Sequence, residues 1–297
     1  MRNKVKLTLG RNKHRQDNAA YLFLLPSLIG VTLFVLLPFI ETIRRSFCDT
    51  MGEHWTGFSN YQSVFNNDAF SLAIRNTLRF LSAGIPLLLL FSLLLALILH
   101  SKAFRNTKIA RLFKTTYLLP IAIPVASIVL LWKTLFAEHG LCNGFLTALG
   151  GTPIDFVGTD VVFWVLTGTY LWKNFGFTNI LWLTGLDAIP IEQYEAAQVD
   201  GAGPWHQFLY ITCPGLRPTL VLTLILSFLN ASKVFREAYL IAGRYPQQSI
   251  YLLQHLFNNW FLSLDLPRLT AAAVTVALVL LVFIMLLLKW WDRFEKD

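Results

Sequence analysis

The chain has 297 residues, of which 55% are hydrophobic and 14% charged, and its mean hydropathy is +0.53. A soluble domain usually has about 45–50% apolar and about 25% charged residues, so this composition excludes an ordinary soluble enzyme. The net charge of +8 lies in short segments beside apolar stretches. That distribution favours contact with anionic lipid over nucleic-acid binding, which would need a basic face on a folded domain.

Six apolar stretches are long enough to cross a hydrocarbon core, which needs about 20 helical residues. A basic arm, residues 1–19, precedes the first stretch. No small-residue cleavage site follows that stretch, so we predict an uncleaved span rather than a signal peptide. A short tail, residues 292–297, ends the chain. The predicted spans are 20–43, 77–99, 116–135, 161–183, 218–240 and 270–291, within one permease domain of residues 20–291.

The distribution of Lys and Arg predicts the orientation of these spans. Six crossings place both termini on one side. The arm, the loops after spans two and four, and the tail carry more than twice as many Lys and Arg as the opposite loops, and 138–160 has none. Because Lys and Arg accumulate in cytoplasmic loops, both termini are predicted to be cytoplasmic and 138–160 external.

Spans four and five contain a concentration of polar side chains. Such side chains are costly against lipid and usually face the bundle interior or a watery cavity. For any single residue, hydrogen bonding between helices or snorkelling of Lys to the surface is an open alternative. Because the residues concentrate in two spans that flank one loop, we predict a solute path lined by Tyr170, Lys173, Asn174, Ser227 and Asn230.

The one long cytoplasmic loop, 185–217, is predicted to contain two short helices. Residues 191–199 are good helix formers, and Gly201 is available for a left-handed cap after them. Pro190 and Pro204 suit the first turns of the two helices. A rigid helix at the membrane surface fits a groove on a soluble partner. An amphipathic connector without a partner is the open alternative.

A specific motif lies in this loop, and nine residues define it: Glu195, Ala196, Ala197, Asp200, Gly201 and Ala202, followed by Ile211, Pro214 and Pro218. The pattern resembles the EAA loop of ABC-importer permeases. Other stretches resemble the sugar-type branch of that family, in particular the first of its two paired subunits, as in maltose, glycerol-phosphate and raffinose-type systems. These stretches are 21–26, 57–61, Asn76-Thr77, Leu119-Pro120 with Pro124, and 185–190.

The resemblance implies an all-α integral membrane protein with a six-helix type I ABC-importer bundle and a cytoplasmic helix-turn-helix coupling loop. It implies a multi-pass subunit of a bacterial plasma (inner) membrane that imports a carbohydrate or related polyol. The implied partners are a second sugar-type permease, which completes a heterodimer, two ATPase subunits that dock on the coupling loops, and an extracytoplasmic solute-binding protein.

No enzymatic activity, metal or cofactor is expected of this chain itself. ATP and Mg²⁺ would be bound by the ATPase, and the sequence has no G-x-x-x-x-G-K-[ST] phosphate loop. Its histidines are scattered, and His139-x-x-Cys142 is too small a cluster for a metal site. The three cysteines, Cys48, Cys142 and Cys213, form no C-x-x-C pair, so no disulfide framework or zinc site is indicated.

Three departures from the family pattern bear on the interpretation. Cys213 replaces the leucine usual before the proline of the loop. Gly243-Arg-Tyr-Pro246 replaces a Gly-Gly-Pro turn, which affects an external loop. In spans four and five only Ser227 matches a sugar-contacting position of the maltose relative, so a maltose-like ligand is not inferred.

Two other classes of protein fit the sequence less well. An ion-coupled secondary transporter would have paired acids within the membrane and internal repeats, whereas Glu41 and Glu237 are predicted near span ends. A membrane-embedded glycosyltransferase would need clustered carboxylates or histidines facing one side, and the sequence has no such cluster.

Overall fold

The computed structural model describes residues 24–101, 104, 107, 108, 112 and 116–294. Every regular element in this part of the chain is a helix, and one isolated antiparallel bridge joins Cys48 to Trp55. The predicted basic arm and most of the predicted loop between spans two and three lie outside the described residues.

The helices are named in chain order, and segment 204–215 combines α-helical and π-helical turns. They are α1 (Leu24–Ser46), α2 (Ser59–Phe65), α3 (Asp68–His100), α4 (Val125–Leu135), α5 (Leu141–Ala148), α6 (Val162–Asp187), α7 (Ile191–Val199), α8 (204–215), α9 (Arg217–Ala231), α10 (Phe235–Ala242), α11 (Leu253–Leu262) and α12 (Leu266–Phe294).

Four stretches of the described chain are long and apolar enough to cross a membrane: α1, α3, Arg217–Ala242 and Leu266–Leu286. Helix α6 has 26 residues, but buried Thr and Asn side chains interrupt its apolar surface. None of the most apolar part of α1 is buried within the protein, and Phe34 there is 81% exposed. Such a surface is suited to lipid rather than to water.

The predicted third span, 116–135, is not one continuous helix. A single helical turn, Leu119–Ala122, precedes α4, and Ile123 and Pro124 between them are extended, with ψ of 131° and 137°. Proline lacks an amide hydrogen and disfavours helical backbone at the preceding residue. Pro124 therefore breaks the helix at this point.

The predicted fifth span, 218–240, also contains a break, at residues 232–234 between α9 and α10. There the backbone amides of residues 233 and 234 donate to carbonyls three residues back rather than four. The side chain of Gln254 donates to the carbonyl of Ser232 within the break. Irregular backbone at membrane depth is tolerated where other protein groups satisfy it or where it lines a cavity.

The chain divides into two compact units: the residues up to Asn66 with Trp260–Val282, and Asn67–Asn259 with the last part of α12. In the second unit, α3, α6 and α9 pack against one another. Their shared core contains Phe80, Leu88, Phe163, Leu166, Tyr170 and Ala231. Near the loop that follows α6, a further buried cluster comprises Ala96, Leu99, Trp182, Leu183, Leu186 and Leu216.

In the first unit, the Asn-Tyr pair of the stretch 57–61 fastens the connection between α1 and α2. Asn60 Nδ2 donates to the carbonyls of Ser46 and Cys48, at 3.0 and 2.8 Å. The hydroxyl of Tyr61 lies 2.7 Å from Ser46 Oγ. Buried carbonyls at a helix end need such partners, so the motif has a structural role.

The Asn76-Thr77 pair on α3 anchors the segment that precedes α11. Asn76 Nδ2 donates to the carbonyls of Gln248 and Tyr251. Thr77 Oγ1 accepts the amide of Leu253 at 3.0 Å. Two residues after Leu253, burial lowers the pKa of His255 to about 4, so this imidazole is neutral at pH 7.

Candidate solute path and coupling loop

A cavity of about 260 Å³ lies between α6, the break before α10 and the turn that precedes α4. Four of the five residues predicted to line a solute path are on its wall: Tyr170, Lys173, Asn174 and Asn230. The fifth, Ser227, is buried one helical turn before Asn230. The other wall residues are Ile121, Val125, Lys233, Val234, Arg236 and Glu237.

An ion pair crosses this cavity. Lys173 Nζ lies 2.6 Å from Glu237 Oε1, and the two side chains are 20% and 6% exposed. The sequence places Glu237 near the end of a predicted span, but the structure buries it against a lysine in the middle of α6. A buried carboxylate is stable only when it is paired and hydrogen-bonded, so the two helices are constrained to lie together here.

Tyr170 and Asn174 are held in place by hydrogen bonds to backbone carbonyls. The Tyr170 hydroxyl donates to the carbonyl of Ser227 at 2.9 Å, and Asn174 Nδ2 donates to the carbonyl of Tyr170 at 2.8 Å. Residues three and four apart lie on one helical face, which is why Tyr170, Lys173 and Asn174 share the cavity wall. This wall is therefore preorganised.

The sequence-based path omits six wall residues, of which three are charged: Lys233, Arg236 and Glu237. All three lie in or just after the break between α9 and α10. Lys233 and Glu237 follow Asn230 by three and seven residues, a helical spacing that places them on the same face as Asn230 and is a signal that could have found them. Arg236 falls on another face of a regular helix, and residues 232–234 contain neither glycine nor proline, the strongest sequence signals of a break.

The first helix of the coupling loop, α7, ends in a Schellman motif. The amide of Gly201 donates to the carbonyl of Gln198 at 3.1 Å, and that of Ala202 to the carbonyl of Ala197 at 2.8 Å. Gly201 has a φ of 79°, in the left-handed region that favours glycine. The Asp200-Gly201-Ala202 part of the motif therefore caps and ends α7.

The two helical parts of the loop are joined by side-chain contacts. The hydroxyls of Tyr194 on α7 and Thr212 on α8 lie 3.0 Å apart. Gln207 Nε2 donates to the carbonyl of Ala202 at 2.8 Å. Pro204 is the first residue of α8 as predicted, whereas Pro190 directly precedes α7 and is not in its first turn. The loop is a hydrogen-bonded helix-turn-helix.

The motif residues lie at the surface of this loop. Glu195, Ala196, Asp200 and Gly201 are exposed, and Ala197, Ala202 and Pro214 are half-buried. Large apolar side chains surround them, because Val199, Trp205 and Tyr210 are 89%, 68% and 72% exposed. Contiguous exposed apolar groups rimmed by polar residues are typical of protein interaction sites.

Comparison with known proteins identifies the family. The family model for the "binding-protein-dependent transport system inner membrane component" matches residues 88–296. The trehalose/maltose transport system permease protein of Thermococcus litoralis is 30% identical over 96% of this chain and 97% of its own length. The arabinooligosaccharides transport system permease protein of Bacillus subtilis is 30% identical over 94% of this chain and 90% of its own.

Solved structures show the same fold. A chain of a bacterial ABC transporter involved in the import of the acidic polysaccharide alginate matches with a TM-score of 0.79 at 24% identity, over 95% of this chain and 98% of that one. A bacterial alginate ABC transporter in complex with an alginate pentasaccharide-bound periplasmic protein also matches with a TM-score of 0.79, at 24% identity over 96% of this chain and 98% of that one.

The chain therefore belongs to the family of binding-protein-dependent transport system inner membrane components. It is a multi-pass membrane permease with the type I ABC-importer fold predicted from its sequence, and it is a transport subunit rather than an enzyme. Within the described residues, no group of three or more His, Cys, Asp and Glu is arranged to hold a metal ion.

The ion pair between Lys173 and Glu237 gives a prediction about stability. Lys173→Gln leaves a buried carboxylate without its partner, so we expect a loss of about 3 kcal/mol or more in the free energy of unfolding. Lys173→Gln with Glu237→Gln removes both charges and keeps hydrogen-bonding side chains, so it should recover most of that loss. Thermal unfolding in one detergent would measure both variants, with exposed Lys133→Gln as control. Additive effects of the two single substitutions would contradict a direct pairing.

Proposed function

We propose that this chain is one of two different permease subunits of an ATP-driven importer that takes up a carbohydrate or related polyol. The proposal rests mainly on the 30% identity over 96% of the chain with a permease named for trehalose and maltose transport. The relatives named for lactose and arabinooligosaccharide transport support the same solute class. The bound periplasmic protein of the alginate transporter supports a solute-binding protein as a partner.

The cavity on α6 is the proposed solute site. Lys173 lies 14 residues before the end of α6, and Asn230 lies 13 residues after the start of α9. On the loop side the predicted spans end at residue 183 and begin at residue 218, so at 1.5 Å per residue Lys173 and Asn230 are about 15 and about 18 Å from that face of a core about 30 Å thick. The proposed solute site is therefore near the middle of the membrane.

Transport by the whole importer tests the solute site. We expect replacement of the predicted path residues Tyr170, Lys173, Asn174, Ser227 and Asn230 by alanine to lower uptake at least about tenfold, since these side chains supply directed hydrogen bonds. The measurement is uptake of a carbohydrate panel into proteoliposomes that contain both permeases, the ATPase and external binding protein. Because Lys173→Ala also leaves Glu237 unpaired, uptake is compared per assembled importer, and Thr169→Ala, a buried change outside the cavity wall, is the control. Unchanged uptake in the five-residue variant would place the site elsewhere.

We further propose that the coupling loop docks on one of two ATPase subunits and transmits their motion. The Schellman stop and the bond between Tyr194 and Thr212 give this loop the stiffness that transmission requires. Its exposed apolar residues and Glu195 offer a surface that a groove on a soluble subunit would cover. ATP and Mg²⁺ would be bound by the ATPase.

Two glycines of the loop provide a matched pair of variants. Gly201 has a φ of 79° and Gly203 a φ of −69°, and neither has an atom within 4 Å of the position a Cβ would occupy. Gly201→Asp therefore adds backbone strain of about 1 kcal/mol or more and a charge beside Asp200, whereas Gly203→Ala adds neither. We expect reduced ATPase co-purification, or loss of binding-protein-stimulated ATP hydrolysis in nanodiscs, only for Gly201→Asp. Glu195→Lys should act more mildly. Wild-type values for Gly201→Asp would contradict a coupling role.

Both termini are proposed to be cytoplasmic and the loop 138–160 external. The excess of Lys and Arg on the loop side supports this orientation. In a variant without Cys48, Cys142 and Cys213, we expect Thr152→Cys to react with an impermeant thiol reagent in whole cells and Gly10→Cys to react only after permeabilisation. Strong labelling at position 10 in sealed cells would reverse the assignment.

A further inference from the structure

We infer that the solute of this cavity is an anionic carbohydrate, one that carries a carboxylate or a phosphate group. The inference rests on the proposed function and adds the chemical class of the solute. Its first observation is the charge of the cavity wall. Three cationic side chains, Lys173, Lys233 and Arg236, face a single carboxylate, that of Glu237.

The ion pair neutralises one of these cations and leaves two. Glu237 lies 2.6 Å from Lys173. Among the residues that the structure describes, Lys233 and Arg236 have no carboxylate within ion-pair distance, and both are exposed. Cations within a membrane span are costly unless they are paired or face water. An anionic group in the cavity would supply the missing pairing, with Arg236 suited to bidentate contact with carboxylate or phosphate.

The second observation is a free hydrogen-bonding capacity next to these charges. The half-buried side-chain amide of Asn230 lies on the cavity wall and has no hydrogen-bond partner among the described residues. This amide can both donate and accept.

The two observations describe one complementary ligand. The hydroxyl groups of a carbohydrate can exchange hydrogen bonds with Asn230. An acidic substituent on the same sugar can pair with Lys233 and Arg236. A neutral sugar would satisfy Asn230 and leave the two cations without a counter-charge, so the wall favours the acidic form.

The experiment uses the complete importer in proteoliposomes with its binding protein. A panel of mono- and oligosaccharides is offered in neutral, uronate-bearing and phosphate-bearing forms, and the last two arms separate a carboxylate from a phosphate. We expect uptake to be confined to one or both anionic arms. Lys233→Gln with Arg236→Gln should lower the rate of uptake of the anionic substrate at saturating binding protein on the order of tenfold, equivalent to about 1.4 kcal/mol. Lys233→Arg, which keeps the charge, should retain most of the uptake, and Lys133→Gln serves as the control outside the cavity.

The outcomes distinguish this inference from the proposed function. Uptake of neutral carbohydrate at the same rate in the wild type and in the doubly neutralised variant would overturn the anionic class and leave carbohydrate import standing. That result would assign Lys233 and Arg236 to contact with lipid headgroups. Uptake of no carbohydrate in any arm, by an importer that hydrolyses ATP, would overturn the proposed function as well.

Discussion

The cost of placing charged and polar groups within the membrane is the constraint on which the second unit of this structure depends. Lys173 lies in the middle of α6, where an isolated ammonium would be unstable. It is balanced by Glu237, whose buried carboxylate would be equally unstable alone. Glu237 is carried by α10, which follows the break at 232–234 and contributes to the cavity wall beside α6. The ion pair and the cavity therefore belong to one arrangement of helices.

Small residues and irregular backbone allow the helices around the cavity to pack closely. Lipid gives no hydrophobic drive for helices to associate, so close approach and hydrogen bonding must hold the bundle together. Gly176 on α6 lies against the carbonyl of Tyr117, where a Cβ would not fit. Gly84 on α3 has the Tyr170 ring within 3.3 Å of its Cβ position. The polar contacts are correspondingly specific: Asn179 donates to the carbonyl of Ser92 at 2.8 Å.

The sequence predicts local features of this molecule well and long-range ones poorly. The bounds of α7 and the stop at Gly201 follow from residues next to one another, because helix caps depend on local chemistry. The same holds for the face shared by Tyr170, Lys173 and Asn174. Apolar composition alone predicts one continuous span across Pro124, although this proline is itself the local signal of the break.

Contacts between distant positions could not be predicted in this way. Glu237 is 64 residues from Lys173, and Asn76 is about 170 residues from the carbonyls that it binds. The neighbouring sequence positions of Glu237 and Asn76 give no indication of these partners. Arg236 is on the cavity wall although its spacing of six residues from Asn230 falls on another face of a regular helix, and the break at 232–234 includes neither glycine nor proline. The full charge of the site therefore follows only from tertiary structure.

The same geometry explains how a movement at the coupling loop reaches the cavity. The loop is bounded by the end of α6 at Asp187 and by the start of α9 at Arg217, and both helices carry wall residues of the cavity. Near the loop the two helices are held together by the cluster that includes Trp182, Leu186 and Leu216. Coupling between distant sites is carried by packed, rigid elements that have more than one arrangement. Under the proposed coupling role, a displacement of the loop would therefore act on both sides of the cavity through two helical segments of about equal length, each about 20 Å. The break at 232–234 and the ion pair between Lys173 and Glu237 lie just beyond these two segments.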